Sequence, residues 1–268
     1  MQVKNKISRL KKILSQCDSC LIAFSGGTDS SFLLKAASLV LPREKILAVT
    51  ANSATYPKGE LLFAKKIART LGIKHKIINT LELDDKRFIS NTSQRCYFCK
   101  IELFTKLKDI AAKHQLKFVF DASNISDKSD FRPGNKAKKE LGVRSPLEEA
   151  GFTKAEIRAL SKKWGLLTWD KPAQACLASR IPYGSPISQL VLERIERAEG
   201  VLRGLKFRQA RVRHYNGLCR IEVPKRDIAG LIKKRQGLID KFKKLGYNYI
   251  TLDLEGYRPG SLNEVIKK

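Results

Sequence analysis

Two apolar periods take turns along the first two thirds of the chain. Residues 2–14 repeat their apolar positions at helical spacing, and residues 20–24 form the short apolar run of a buried strand. Helical spacing returns over 29–40, followed by a second strand-like run over 45–51. The alternation continues with a helix over 59–71, a strand over 74–78, a helix over 101–114 and a strand over 118–121. A further helix is expected over 153–164, where Thr153 and Glu156 have the spacing of a capping box. This βαβ rhythm predicts an α/β fold, a parallel sheet with helices on both faces.

The pattern breaks near Pro172. Residues 171–188 carry three prolines, one glycine and no clear period. Beyond them comes a helix over 187–202. Strands over 209–215 and 218–223 are joined by Asn216-Gly217, a strong hairpin signal. Another helix and a last strand over 247–252 complete the pattern. The expected organisation is a nucleotide-binding domain over 1–170, a linker over 171–186 that also lies in the active site, and a smaller C-terminal α/β domain over 187–268.

Composition narrows the class. No apolar run is long enough to span a membrane, and the Lys-rich N-terminus lacks the apolar core and cleavage site of a signal peptide. The expected location is therefore the cytoplasm. The 53 Lys and Arg outnumber the 26 Asp and Glu, giving a formal charge of +27. Such an excess attracts anions, from nucleotides to nucleic acid. The basic residues are spread along the chain and form no dense block, so they also fit a solvated Lys-rich surface.

The sharpest motif is Ser25-Gly26-Gly27-Thr28-Asp29-Ser30, placed between the first strand and the helix after it. Two glycines let the backbone approach an anion, and the N–H groups of a helix N-terminus point at it. Ser25 and Ser30 add hydroxyl donors. Asp29 falls in the first helical turn, where it either caps the helix or holds Mg²⁺ against phosphates. There is no Gly-Lys-Ser/Thr ending, which excludes a Walker A loop. The motif resembles the pyrophosphate-binding loop of the ATP pyrophosphatase, or PP-loop, superfamily, whose members form an adenylate and release pyrophosphate. In an open α/β sheet ligands meet the carboxyl ends of the strands. The end of the second strand, at Ala51, is thus expected to meet the adenosine.

Six cysteines in a cytosolic chain are more readily thiols, metal ligands or catalysts than disulfides. Cys17 and Cys20 lie at the amino end of the first strand, opposite the nucleotide site, and read as structural. Cys219 sits in a predicted strand and reads as core. Cys96 and Cys99 form a Cys-x-x-Cys ahead of a helix at the carboxyl edge, and Cys176 lies in the linker. Three thiolates there offer three corners to a 4Fe–4S cluster and leave one iron open. Alternatively, Cys176 acts alone as a nucleophile.

Six blocks carry a closer resemblance. They are Ser25 to Ser30; Arg95-Cys96-Tyr97-Phe98-Cys99-Lys100; Asp130-Phe131-Arg132-Pro133-Gly134; Gly142-Val143-Arg144-Ser145-Pro146-Leu147; Ala175-Cys176-Leu177-Ala178-Ser179-Arg180 with Ile181-Pro182-Tyr183-Gly184; and Arg211-Val212-Arg213. Nearly end to end, the chain resembles the LarE family, ATP-dependent sulfur transferases of nickel-pincer nucleotide synthesis. The resemblance implies adenylation of a carboxylate of pyridinium-3,5-biscarboxylic acid mononucleotide, then its conversion to a thiocarboxylate. It implies ATP and Mg²⁺, with Asp29 and Cys176 as catalytic residues. Some members sacrifice the sulfur of the cysteine matching Cys176. Others carry the extra Cys-x-x-Cys and use a 4Fe–4S cluster, and the presence of Cys96 and Cys99 points to that branch, with sulfide or another sulfur donor. Arg211 and Arg213 resemble the pair that holds the substrate phosphate, Glu199 and Glu222 acidic residues that bind metal near the sulfur site, and Tyr97 an aromatic stacking near the nucleotide. The family also implies a homo-oligomer, a hexamer among its forms, with no nucleic-acid or membrane partner. The rival reading is a tRNA thiolase of the same superfamily, which the net charge favours and the absence of an appended RNA-binding module disfavours.

Overall fold

A computed structural model of the chain describes residues 2–129 and 133–266. In chain order the elements are α1 (Gln2–Ser15), β1 (Cys20–Ala23), α2 (Thr28–Ser38), β2 (Ile46–Asn52), α3 (Lys58–Leu71), β3 (Lys74–Asn79), α4 (Lys86–Ile89), α5 (Arg95–Lys113) and β4 (Phe118–Phe120). They continue with α6 (Gly134–Glu140), α7 (Pro146–Glu149), α8 (Lys154–Lys163), α9 (Gln189–Gly204), β5 (Arg211–Tyr215), β6 (Leu218–Glu222), α10 (Ile228–Lys233), α11 (Arg235–Lys244) and β7 (Tyr249–Leu252). Two compact units result. The first holds 1–53, 58–82 and 94–174; the second holds 54–57, 83–93 and 175–268. No helix among the described residues is long and apolar enough to cross a membrane.

The first unit is built on a four-stranded sheet of order β3-β2-β1-β4, with every pairing parallel. Strand periodicity sorts its side chains. Cys20 and Ile22 of β1, with Ile46 and Ala48 of β2, face a core made with α1, α2, α3 and α8. Leu21, Leu47 and Val49 face the other way, onto Phe104, Leu107 and Ala111 of α5. Helices therefore cover both faces, the arrangement that near-continuous apolar strands require. Helix α8 starts at the expected capping box: Thr153 accepts from the Glu156 N–H, and the Glu156 carboxylate accepts from the Thr153 N–H.

One boundary corrects the sequence reading. Helix α5 begins at Arg95, so Cys96 and Cys99 lie within its first two turns instead of ahead of it. The reason is burial: Arg95 is its only buried residue before Phe104, and the intervening Cys, Tyr and Lys residues show no apolar stripe.

In the second unit the expected hairpin forms, β5 pairing antiparallel with β6 around Asn216 at φ 54°. Strand β7 adds in parallel to β6. The inward residues Val212, Cys219 and Ile221 pack on Ala198 and Leu202 of α9, Leu231 of α10 and Leu238 and Phe242 of α11.

Candidate active site

The phosphate loop of the first unit is shaped by what surrounds its backbone. Phe24 extends β1, its N–H bonded to the Val49 carbonyl at 2.8 Å. The Thr50 hydroxyl donates to the Phe24 carbonyl at 2.5 Å and lies 2.7 Å from His75 Nε2. The chain then turns at Gly26, with φ +66°. A Cβ there would stand 2.8 Å from the Cα of Ala64 on α3, so glycine is required both by conformation and by close approach. Gly27 is the N-cap of α2 in extended geometry, with no side-chain cap. The first N–H groups of a helix lack intrahelical acceptors and are aimed outward. The hydroxyls of Ser25 and Ser30 stand 3.1 Å apart beside them.

The loop is also held from the segment that follows α8. Thr28 Oγ1 donates to the Thr168 carbonyl at 2.7 Å. Lys171 Nζ donates to the Gly26 carbonyl at 3.1 Å, pairs with Glu60 at 2.8 Å and covers the Phe63 ring. Arg158 in turn binds the carbonyls of Trp169 and Lys171 at 3.0 and 2.7 Å.

Asp29 does not cap α2. Its Oδ2 is ion-paired with Lys154 Nζ, and its Oδ1 is buried with no hydrogen-bond partner. Burial pushes the Asp29 carboxyl up from its ordinary value, against the pull of Lys154. A desolvated carboxylate oxygen without a donor fits a hard, oxygen-seeking cation, so Asp29 suits the Mg²⁺ implied by the loop.

The remaining carboxyl edge of the sheet is polar. Ala51 is half-buried at the end of β2. Beside it Asn52 donates to Asn79 at 2.9 Å, and Ser53 donates to the buried carboxylate of Glu82. After β4, Asp121 accepts from Ser123 Oγ at 2.6 Å and from Ser145 Oγ, and Ser145 accepts from the buried Lys138 at 2.7 Å. Sequence reasoning missed Glu82, Lys154, Lys171 and this Asp121 network. Only the Asp-x-Ser spacing after a strand hinted at the last.

Cys96 is exposed and Cys99 half-buried on the first two turns of α5. Helix α6 approaches them closely: a Cβ at Gly134 would stand 2.9 Å from Lys100 Cγ and 3.3 Å from the Cys96 carbonyl. Tyr97 donates its hydroxyl to Glu140 at 2.7 Å, and its ring meets Lys136 and the edge of Phe98. Asp130, Phe131 and Arg132 of the neighbouring block lie outside the described residues.

In the second unit, Cys176 is half-buried and caps a single 3₁₀ turn, Leu177–Arg180. The turn is built on Arg180, which is fully buried. Its Nη1 donates to the carbonyls of Ala175 and Cys176 at 2.9 and 3.1 Å, while Nε and Nη2 bind the two oxygens of Glu199 at 2.8 and 3.1 Å. Burial works to raise the Glu199 carboxyl, but Arg180, Arg211 and the Val212 N–H hold it below its ordinary value. Arg213 repeats the device. It binds Glu222 at 2.9 and 2.6 Å, the Ser179 carbonyl at 2.9 Å and Ser261 Oγ at 2.9 Å.

Arg211 shares that strand face, buried, with Nη1 on the Ala210 carbonyl at 2.7 Å and its guanidinium over Tyr257. Burial, with repulsion from Arg180, pushes Arg211 down to about 10. Arg211 and Arg213 thus share one face of β5, as expected from their spacing. Glu199 and Glu222 are placed as arginine partners, which does not suit a metal site while those pairs stand. Among the described residues no group of three or more His, Cys, Asp or Glu is placed to hold a metal ion. Cys17, Cys20 and Cys219 are buried, with Cys20 and Cys219 pushed by burial to about 12. Such thiols are inert core groups.

No protein-family model matches the chain. It is 41% identical to an uncharacterized protein of Synechocystis over 99% of this chain and 100% of the relative. It is 36% identical to the pyridinium-3,5-bisthiocarboxylic acid mononucleotide synthase of Lactiplantibacillus plantarum, over 98% of this chain and 95% of that enzyme. A more distant likeness, 25% identity over 56% of the chain and 58% of the relative, is to the NH(3)-dependent NAD(+) synthetase of Methanococcoides burtonii.

Proposed function

Because the chain belongs to the LarE family of pyridinium-3,5-bisthiocarboxylic acid mononucleotide synthases, we propose that it inserts sulfur into a carboxylate of the pyridinium-3,5-biscarboxylic acid mononucleotide. It is an ATP-dependent sulfurtransferase of the PP-loop superfamily. The reading rests on one observation above the others, the likeness to the plantarum synthase over 98% of the chain, which spans both the phosphate loop and the Cys176 turn.

The chemistry runs in two halves. A substrate carboxylate oxygen attacks the α-phosphorus of ATP, the bond to the β-phosphate bridging oxygen breaks, and pyrophosphate leaves. The N–H groups behind Gly26 and Gly27, with Ser25 and Ser30, receive the charge that grows on the leaving group. Asp29 holds Mg²⁺ through its open oxygen, and Ala51 stands where the adenosine meets the sheet. In the second half a sulfur nucleophile attacks the acyl carbon, the bond to AMP breaks and a thiocarboxylate forms. Arg211 and Arg213 grip the mononucleotide phosphate, a change of partner that loosens the Arg213–Glu222 pair.

Sulfur enters at Cys176. The thiols of Cys96, exposed, and of Cys99 and Cys176, half-buried, are soft ligands of the kind that would hold the corners of a 4Fe–4S cluster. A cluster held by these three residues would supply carried sulfide, and Cys176 would stay intact. Assembly as a homo-oligomer belongs to the same reading.

The test is turnover of the anaerobically reconstituted protein with ATP, sulfide and the pyridinium mononucleotide, followed by mass spectrometry of product and protein. The expected result is thiocarboxylate, AMP, pyrophosphate and unaltered Cys176. Stoichiometric dehydroalanine at position 176, with no iron bound under any reconstitution, would replace the cluster by a sacrificial sulfur. Thiolated tRNA with untouched mononucleotide would overturn the substrate.

A further inference from the structure

The Cys176 turn is continued by the loop Ile181-Pro182-Tyr183-Gly184-Ser185-Pro186. Two prolines deprive this loop of two backbone donors, so its carbonyls need hydrogen bonds from elsewhere. Asn91 provides them. It is fully buried and lies two residues beyond the short α4 segment, which belongs to the same unit. Its side-chain amide donates to the Ser185 carbonyl at 2.7 Å and the Pro182 carbonyl at 2.8 Å, with the Ile181 carbonyl farther off at 3.4 Å.

Its own carbonyl accepts from the Gly184 N–H at 3.0 Å, and the neighbouring Ile89 carbonyl accepts from the Ile187 N–H at 2.8 Å. The backbone of Asn91 is left-handed, φ 54°, a conformation that asparagine tolerates better than most residues. The other flank of the turn is fastened similarly, the Leu177 N–H donating to the carbonyl of the buried Thr55 at 2.7 Å. The turn that carries Cys176 is therefore closed by two excursions of chain far away in sequence, and Asn91 does so with its side chain as well as its backbone.

We infer that Asn91 is a positioning residue for sulfur transfer: its amide clamps the loop after Arg180 and thereby sets where Cys176 stands. The inference rests on the assignment of Cys176 to the second half-reaction. It has a selective consequence. Adenylation uses the phosphate loop of the first unit and does not draw on the clamp. Thiolation needs Cys176 in place, and a displacement of about 1 Å costs on the order of 100-fold in such a step.

Two full-length variants separate the amide from the backbone. Asn91→Gly keeps the left-handed conformation without strain and removes the donor. Asn91→Asp keeps the shape but turns an acceptor onto three carbonyls. In both, thiocarboxylate formation is expected to fall about 10- to 100-fold while pyrophosphate release stays within about twofold, with Asn91→Asp the more severe. Alkylation of Cys176 by iodoacetamide, followed by peptide mass spectrometry, should accelerate up to about tenfold, the effect of losing one hydrogen bond from a local opening equilibrium. Wild-type rates of thiolation and alkylation in both variants would overturn the inference. So would equal loss of both half-reactions together with the melting transition, which is what a merely structural residue gives.

If neither variant folds, hydrogen exchange on the unaltered protein decides. Segments 83–93 and 181–187 should open together, and free exchange of 181–187 beside a protected 83–93 would refute the clamp. Should the unaltered protein form no thiocarboxylate while the alkylation and exchange differences hold, the clamp stands and the assigned reaction falls.

Discussion

The phosphate loop and the Cys176 turn solve opposite problems. The loop must receive a highly charged ligand, and it is built almost without side chains: two glycines, a helix N-terminus and one carboxylate whose Oδ1 is left without a partner. In the proposed reaction the turn holds a reactive thiol still. It is wrapped in buried side-chain bonds, with Arg180 on Glu199 and on the carbonyls of Ala175 and Cys176, and Arg213 on Glu222 and Ser179. One region keeps hydrogen-bonding capacity in reserve; the other has spent it on rigidity. The difference predicts that substitutions in the turn will show first in stability, and those in the loop first in the rate of activation.

The largest effect should come from the buried pair. Glu199→Gln leaves the Arg180 guanidinium fully buried without its counter-charge, at a cost of about 3–5 kcal/mol in unfolding free energy. Urea denaturation followed by circular dichroism measures it. A loss below about 1 kcal/mol, the range of an exposed pair, would mean that the turn is not held as described.

A smaller and more selective effect is expected at the mononucleotide. Arg211→Ala should weaken its binding by about 1.5–3 kcal/mol, the range for hydrogen bonds to charged groups, and leave ATP binding unchanged. Titration calorimetry with each ligand checks this. Equal losses for both ligands would dissolve the division of labour between the two regions.

The two regions also differ in how readable they were. The loop is a contiguous motif between a strand and a helix, and its function follows from short-range geometry. The capping box at Thr153 and the Asn216-Gly217 hairpin were legible for the same reason. What escaped depends on partners distant in the chain. Nothing local marks Asn91 as the donor for carbonyls ninety or more residues away, nor Arg180 as the partner of Glu199. Lys154 looked like an ordinary first-turn residue of α8 until the fold brought it to Asp29. The start of α5 was misplaced because its first turns are held by contacts with α6, where Gly134 lets the helices close, and not by an apolar period.

In the proposed reaction activation depends on the phosphate loop and sulfur transfer depends in addition on Cys176. Pyrophosphate release and thiocarboxylate formation, followed side by side in Asp29→Ala and Cys176→Ala, test this dependence most directly. Asp29→Ala is expected to lose both, with release reduced about 100- to 1,000-fold, the scale of removing one group that stabilises charge in a transition state. Cys176→Ala should still release pyrophosphate in the presence of the mononucleotide and make no thiocarboxylate. Normal thiolation by Cys176→Ala, or pyrophosphate release by Asp29→Ala at the wild-type rate, would contradict it.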